Sequence, residues 1–299
     1  MQKSDVVIIG QGPAGLSAAI YTARAGLKTT VLGCDPKVAG NYDIDNYFGF
    51  PESITGKELI ELGCKHAQKF GAILKCEKVL GIHQDDNQGF VVKTDFSRIS
   101  SRTVILATGV SRIKPGIKNI SDYEGKGVSY CVSCDGFFYK NKNVLVLGEG
   151  IFAANQALEL KNYTPQVKIC LQGKKEKISE DYQAMLKKNT IPVLKDKVRE
   201  LKGSNVLEQV MFENEKVMDV DGLFLAMGEA SSLDFAYSLG ITTKKGVFIE
   251  ADQEQRTNIP GVFAAGDCVG RFLQISVAVG EGAVAGHSAI SYLKQHADG

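Results

Sequence analysis

The chain has almost no net charge, since 35 Lys and Arg against 34 Asp and Glu leave +1. That near-balance excludes bulk nucleic-acid binding. No uncharged apolar run approaches the roughly 20 residues that a membrane span needs, which excludes a transmembrane helix. The apolar N-terminal stretch has some of the look of a signal peptide. Asp5 precedes the apolar N-terminal stretch, and Gly10, Gly12, Pro13 and Gly15 interrupt it, so a buried strand and turn fit better. Cysteines are few and odd in number: Cys34, Cys64, Cys76, Cys131, Cys134, Cys170 and Cys268, scattered except for one close pair. This is the pattern of a reducing cytosol with one working dithiol, not of a secreted disulfide scaffold, and the expected localisation is cytoplasmic. What remains is an ordinary globular composition, 44% hydrophobic and 23% charged over 299 residues, long enough for two domains with their own cores.

The first motif follows a β-branched run, Asp5-Val6-Val7-Ile8-Ile9, and reads Gly10-Gln11-Gly12-Pro13-Ala14-Gly15. This is G-x-G-x-x-G between a strand and a helix. Gly10 permits the tight turn, Gly12 lets a pyrophosphate approach the backbone at the helix N-terminus, and Gly15 lets helix and strand pack closely. A helix is expected over Ala14–Ala25 and a second strand over Thr29–Leu32. Asp35, about 20 residues past the last glycine, is placed to take a ribose hydroxyl. Gly40-Asn41 and the loop Asn46-Tyr47-Phe48-Gly49-Phe50-Pro51 are rich in amides and aromatics, and Asn41 and Asn46 are candidates to bond a flavin or its ribityl chain. An amphipathic helix is expected from Gly56 to Phe70, with Leu59, Leu62, His66 and Phe70 near one side. His66 and His83 have no partner motif and read as structural or exposed. Strands are expected at Phe90–Thr94 and Thr103–Leu106. The second ends in Ala107-Thr108-Gly109, where small residues let the backbone approach a bound dinucleotide.

A Pro/Gly/Lys/Ser-rich connection then leads to Cys131-Val132-Ser133-Cys134-Asp135-Gly136. Two thiols three apart at the start of an expected helix can close a small disulfide, and a helix N-terminus lowers thiolate pKa. Half of a zinc site looks the same, so the pair alone fits redox and metal chemistry equally. A strand at Asn143–Leu147 runs into Gly148-Glu149-Gly150-Ile151-Phe152-Ala153, a second dinucleotide-type turn, followed by a helix over Ala154–Lys161. Two features argue against a working nicotinamide site there. Glu149 puts a carboxylate where a pyrophosphate would lie. After the next strand, Val167–Leu171, stands Gln172-Gly173-Lys174-Lys175, with neither an arginine for a 2′-phosphate nor an acid for a ribose. From Lys161 to Lys202, 11 Lys/Arg against 5 Asp/Glu give a local +6. That excess reads either as solvated faces or as a docking surface for a small acidic protein.

Strand pattern resumes at Val247–Ile249. Thr257-Asn258-Ile259-Pro260-Gly261-Val262-Phe263-Ala264-Ala265-Gly266-Asp267 follows, an apolar strand that delivers Gly266 and Asp267 to the end of the sheet, where the carboxylate can grip a ribityl hydroxyl. A long helix is expected from Gln274 to about Lys294, its N-terminus offering positive dipole. The expected fold is α/β, with two Rossmann-like FAD/NAD(P)-type domains and the second inserted into the first: 1–114, 115–242 and 243–299.

With these motifs in this order, the chain resembles the low-molecular-weight thioredoxin reductases over essentially its whole length. The resemblance implies one tightly bound FAD per chain, with a second flavin left open. It implies contacts from Gly10, Gly12, Pro13, Ala14, Gly15, Asp35, Gly40, Asn41, Asn46, Thr108, Gly109, Gly266, Asp267 and Gln274. It also implies a homodimer that reduces thioredoxin. Cys134 would be the flavin-side thiol, Cys131 the outer thiol that attacks thioredoxin, and Asp135 the acid/base for the thiol proton, or else a helix-cap carboxylate. No second ligand pair stands at zinc spacing, so no metal is expected. NADPH-using members carry His-Arg-Arg where this chain has Leu171-Gln172-Gly173, and family members in general usually have Arg-Gln-Ala where it has Leu273-Gln274-Ile275, so only Gln274 carries over there. In the first respect the chain is most similar to the pyridine-nucleotide-independent branch, the ferredoxin-dependent flavin thioredoxin reductases, so ferredoxin is the expected donor and NADPH is not. An NADPH-dependent reductase, a diflavin-linked disulfide oxidoreductase, an oxygen-dependent dithiol oxidase and a non-enzymatic redox sensor are the alternatives. No N-terminal thioredoxin-like extension is seen, which argues against a peroxiredoxin-reductase arrangement.

Overall fold

A computed structural model describes residues 2–85, 89–109, 115–130, 132–244 and 246–296. Two compact units emerge: Met1–Ser111 with Ser231–Gly299, and Arg112–Ala230. The first begins with β1 (Gln2–Ile9), α1 (Pro13–Arg24), β2 (Thr29–Leu32), β3 (Asp43–Ile44), β4 (Ile54–Thr55), α2 (Gly56–Lys69), β5 (Ile73–Lys75), β6 (Val79–Gln84), β7 (Phe90–Thr94) and β8 (Arg98–Leu106). The second runs through β9 (Val128–Ser129), α3 (Val132–Asp135), β10 (Val144–Leu147), α4 (Ile151–Leu160), β11 (Val167–Cys170) and α5 (Glu180–Lys188). It continues with β12 (Val193–Leu194), β13 (Val198–Lys202), β14 (Gln209–Phe212), β15 (Val217–Asp219) and β16 (Gly222–Leu225). The chain returns to the first unit with α6 (Ser232–Leu239), β17 (Thr243–Lys244), β18 (Phe248–Ile249), β19 (Val262–Ala264) and α7 (Ile275–Gln295).

In the first unit β5, β2, β1 and β8 are parallel neighbours, and β8 continues through antiparallel β7 to β6. The start of β8 pairs with β7, while its end, Val104–Leu106, also pairs with β19. Val6, Val7 and Ile8 are fully buried, as expected of a parallel strand covered on both faces. The second unit repeats the scheme with a five-stranded parallel sheet, β12-β11-β10-β16-β9, and adds the antiparallel meander β13-β14-β15. This is the expected α/β architecture, two Rossmann-like units with the first discontinuous in sequence.

Two details differ from the sequence expectation. Residues 231–242, assigned to the middle domain by sequence, lie in the first unit. Ser238 Oγ donates to Ile82 O at 3.4 Å in β6, and Asn258 bonds both Thr242 N–H and Gly240 O. In α2 the inward residues are Ile60 and Ala67, while Leu62 is 44% exposed. Gly63 faces Leu16 of α1, which rotates the buried stripe away from the Leu59–Leu62–His66 line. His66 and His83 are exposed. Among the described residues no helix is long and apolar enough to cross a membrane.

The helices α1 and α7 pack through small residues. A Cβ on Gly282 would stand 2.1 Å from Ala14 O, whereas one on Gly280 would meet nothing within 4 Å. Alanine at either site gains about 1 kcal/mol of helix propensity. At Gly282 the clash is with backbone that cannot yield, and overpacking costs about 1–3 kcal/mol. Thermal unfolding of the two single variants is therefore expected to move in opposite directions, with Gly280→Ala raising Tm and Gly282→Ala lowering it by a few degrees.

Candidate functional site

The glycine turn of the first unit is shaped by backbone touching backbone. Gly10, at φ 119°, leaves β1 so close to β8 that a Cβ there would lie 2.1 Å from Ala107 O, and a Cβ on Gly15 would lie 1.9 Å from Gly10 O. Gly12, the N-cap of α1, is the opposite case, for nothing stands within 4 Å of its Cβ position. Pro13 opens the helix, no side chain caps it, and no acidic residue sits in its first turn. Its free N–H groups and positive dipole therefore face open space, the arrangement that suits a pyrophosphate.

The other candidates lie on the loops of the same unit. Asp35 is exposed, three residues beyond β2, with φ 40°. Thr108 and Gly109 continue from β8, Gly109 at φ 68°. Gly40 accepts from Lys57 N–H at 3.0 Å, and Asn41 is exposed beside it. Asn46 Nδ2 donates to Gln274 Oε1 at 3.2 Å, joining two candidates 228 residues apart. Gln274 is the N-cap of α7, whose first turn also lacks an acidic residue. Gly266, at φ 81°, hands the chain from β19 to Asp267. Burial pushes the Asp267 carboxyl above the usual carboxylate range, and the Lys37 ammonium opposes that rise. Open space at a helix N-terminus, carboxylates on the loops after β2 and β19 and paired amides fit a flavin dinucleotide.

Sequence reasoning missed Glu281. It is 6% exposed on α7, its Oε2 accepts from Gly266 N–H at 2.7 Å, and its Oε1 takes Arg271 Nη1 at 3.3 Å. It thereby fixes the turn that carries Asp267. The available signal was a lone carboxylate inside a helix of small apolar residues, since a buried charge needs partners.

The second unit repeats the turn and closes it. A Cβ on Gly148 would lie 2.1 Å from Ala226 O, matching Gly10 and Ala107, but Gly150 faces Gly228 O instead of open space. Glu149 is 4% exposed. Its carboxylate pairs with Lys174 Nζ at 3.1 Å and takes Gly228 N–H at 3.4 Å, while its carbonyl accepts from Lys177 N–H at 2.7 Å. Gln172, past β11, is 5% exposed at φ 53°. Its side chain donates to Pro115 O and Val198 O and accepts from Val198 N–H. The residue at the nucleotide-selecting position is thus turned inward and fully used.

These two turns match a known pattern. The pyridine nucleotide-disulphide oxidoreductase family model matches residues 4–282. A thioredoxin reductase of Listeria innocua serovar 6a is 35% identical, over 97% of this chain and 94% of its own. The chain belongs to the thioredoxin reductases. The crystal structure of the atypical thioredoxin reductase TRi from Desulfovibrio vulgaris Hildenborough superposes with a TM-score of 0.97 at 58% identity, covering 100% of both chains. That of a ferredoxin-flavin thioredoxin reductase from Clostridium acetobutylicum gives 0.74 at 30% identity, covering 99% of each.

Of the reductase's sequence-marked dithiol, Cys131 lies outside the described residues, and Cys134 falls in α3. That helix is a single turn, so the macrodipole invoked from the sequence is small, because peptide dipoles add along a helix. Asp135 closes α3, half-buried, and its carboxylate takes the Ser129 hydroxyl at 2.6 Å. The cysteines correct the expectation of one dithiol among scattered thiols, because Cys34 and Cys76 form a disulfide. The parallel pairing of β2 with β5, Leu32 opposite Lys75, brings together residues 42 apart, which spacing alone conceals. Cys64, Cys170 and Cys268 are free. Burial pushes the Cys170 thiol up to about 11 and that of Cys268 up to about 12, so both stay protonated and unreactive at neutral pH.

Asp267 makes a signed prediction. A carboxyl raised in the folded state favours folding most below its unfolded value and loses that contribution as pH rises through the folded value. Asp267→Asn should therefore raise the Tm of the flavin-free protein at neutral pH, with the advantage vanishing in acid below about pH 4. The same variant should hold FAD less tightly, read as flavin retained after filtration.

Proposed function

We propose that this thioredoxin reductase takes its electrons from reduced ferredoxin rather than NADPH and delivers them to the disulfide of thioredoxin through Cys131 and Cys134. The observation that carries the choice of donor is Glu149. A buried carboxylate, ion-paired inside the second glycine turn, repels a pyrophosphate and already uses the cation that would neutralise one. Gln172 supports the same reading, since it leaves no arginine fork for a 2′-phosphate. The likeness to the ferredoxin-flavin enzyme of Clostridium acetobutylicum points the same way.

FAD, held by Gly10–Gly15, Asp35, Asn46, Asp267 and Gln274, supplies the exchange between one-electron and two-electron chemistry. The cysteines do the rest. Cys131, as thiolate, attacks one sulfur of the thioredoxin disulfide and forms a mixed disulfide, releasing the other thioredoxin thiolate, which takes a proton. Cys134 then attacks Cys131 Sγ, restores the Cys131–Cys134 bond and frees reduced thioredoxin. Asp135, tied to Ser129, is placed in sequence to hold and return the thiol proton.

The basic run Lys161–Lys202 supports docking of an acidic electron carrier. Lys174, Lys197 and Arg199 are spent on Glu149, Glu213 and Glu215, which reduces the free excess without removing it. By the same family reading the enzyme works as a cytoplasmic homodimer.

Parallel anaerobic titrations of the purified flavoprotein with NADPH, NADH and reduced ferredoxin test the donor. Bleaching of the flavin by ferredoxin alone is expected. Stoichiometric bleaching by micromolar NADPH would overturn the proposal in favour of an NADPH-dependent reductase.

A further inference from the structure

We infer that Cys34–Cys76 is a second exchangeable disulfide, one that clamps the ribose-binding loop of the FAD site and is opened by a protein dithiol. The inference rests on the dinucleotide reading of Gly10–Gly15 but not on the choice of electron donor. Beside the disulfide, two hydrogen bonds meet at one atom, Lys75 O. It accepts from Gln11 Nε2, inside the glycine turn, at 2.9 Å and from Gly33 N–H, just past β2, at 3.2 Å. Lys75 is the last residue of β5, and the next residue, Cys76, is bonded to Cys34. The covalent link therefore lies beside a junction that joins the pyrophosphate turn to the loop carrying Asp35.

That loop is strained where it aims Asp35. Gly33 has φ 139° and Asp35, a non-glycine residue, has φ 40°. Such a conformation persists only when its surroundings over-determine it, and here Cys34, between the two, is fixed to the neighbouring strand. Cutting the link frees Asp35 to relax to negative φ and to swing its carboxylate away from a ribose.

The link can be reached. Cys76 is exposed and Cys34 only half-buried, unlike Cys170 and Cys268. A thiolate of the incoming dithiol attacks Cys76 Sγ, the Cys34–Cys76 bond breaks, and Cys34 leaves as thiolate and takes a proton. The second thiol of the donor attacks the mixed disulfide and releases Cys76, which is protonated in turn. The donor leaves as a disulfide, and two electrons and two protons rest on Cys34 and Cys76.

Two measurements on the full-length holoenzyme test this. In the first, FAD release after dilution is followed by flavin fluorescence. The double variant Cys34→Ser/Cys76→Ser should release FAD about 10-fold faster, the loss expected for one charged hydrogen bond. Asp35→Asn should speed release by a similar factor in the oxidised parent and add little in the double variant. An unchanged release rate, or an Asp35→Asn effect of equal size in both backgrounds, overturns the clamp. In the second, a Cys131→Ser/Cys134→Ser holoenzyme is treated with a reduced bacterial thioredoxin, alkylated and mapped by peptide mass. Alkylation of Cys34 and Cys76 is expected, and their persistence as a disulfide overturns exchange. Purified protein that carries no flavin would instead overturn the dinucleotide reading itself.

Discussion

Two peptide backbones that touch where a side chain would otherwise stand set the geometry of both halves of this molecule. At Gly10 the strand passes so close to Ala107 O, and at Gly148 so close to Ala226 O, that any Cβ would collide at 2.1 Å. Each contact ends a buried parallel strand and forces the chain straight into a helix whose first N–H groups have no internal partner. The two units then part company over what meets those donors. In the first it is open space in front of Gly12. In the second, Gly150 faces Gly228 O, and the Glu149 carboxylate beside it is held by Lys174 and the Gly228 N–H. The same turn is thus open in front of one helix and lined by protein in front of the other.

That contrast underlies the proposed choice of electron donor. A buried carboxylate is costly unless paired and hydrogen-bonded, and Glu149 is both. Lys174 comes from the stretch after β11 and Gly228 from the stretch after β16, so two strand ends hold the carboxylate. In the first unit the buried Glu281 does comparable work by holding the Gly266 turn, so a charge within each unit organises a loop.

Much of this was legible in the sequence, and the reasons are physical. The strands Thr29–Leu32 and Phe90–Thr94 match their expected spans residue for residue, because buried parallel and hairpin strands carry local apolar patterns. Glu149 and Gln172 stood out by chemistry, as wrong residues at positions with a known demand. What stayed hidden depends on contacts between distant segments. The ownership of α6 rests on its bonds to β6, the exposed Leu62 on the approach of Leu16, and Glu281 on a loop 15 residues away. The Cys34–Cys76 bond needs the register of two strands. A crosslink closing a loop of that length, 42 residues, is worth about 4 kcal/mol against the unfolded chain.

The inward amide of Gln172 bears on cofactor engineering. It bonds Pro115 O and both polar groups of the Val198 backbone. An arginine grafted there to grip a 2′-phosphate would have to leave that pocket, stranding three backbone groups. Building such a phosphate site is therefore a redesign of the strand-end scaffold as well as of its surface charges.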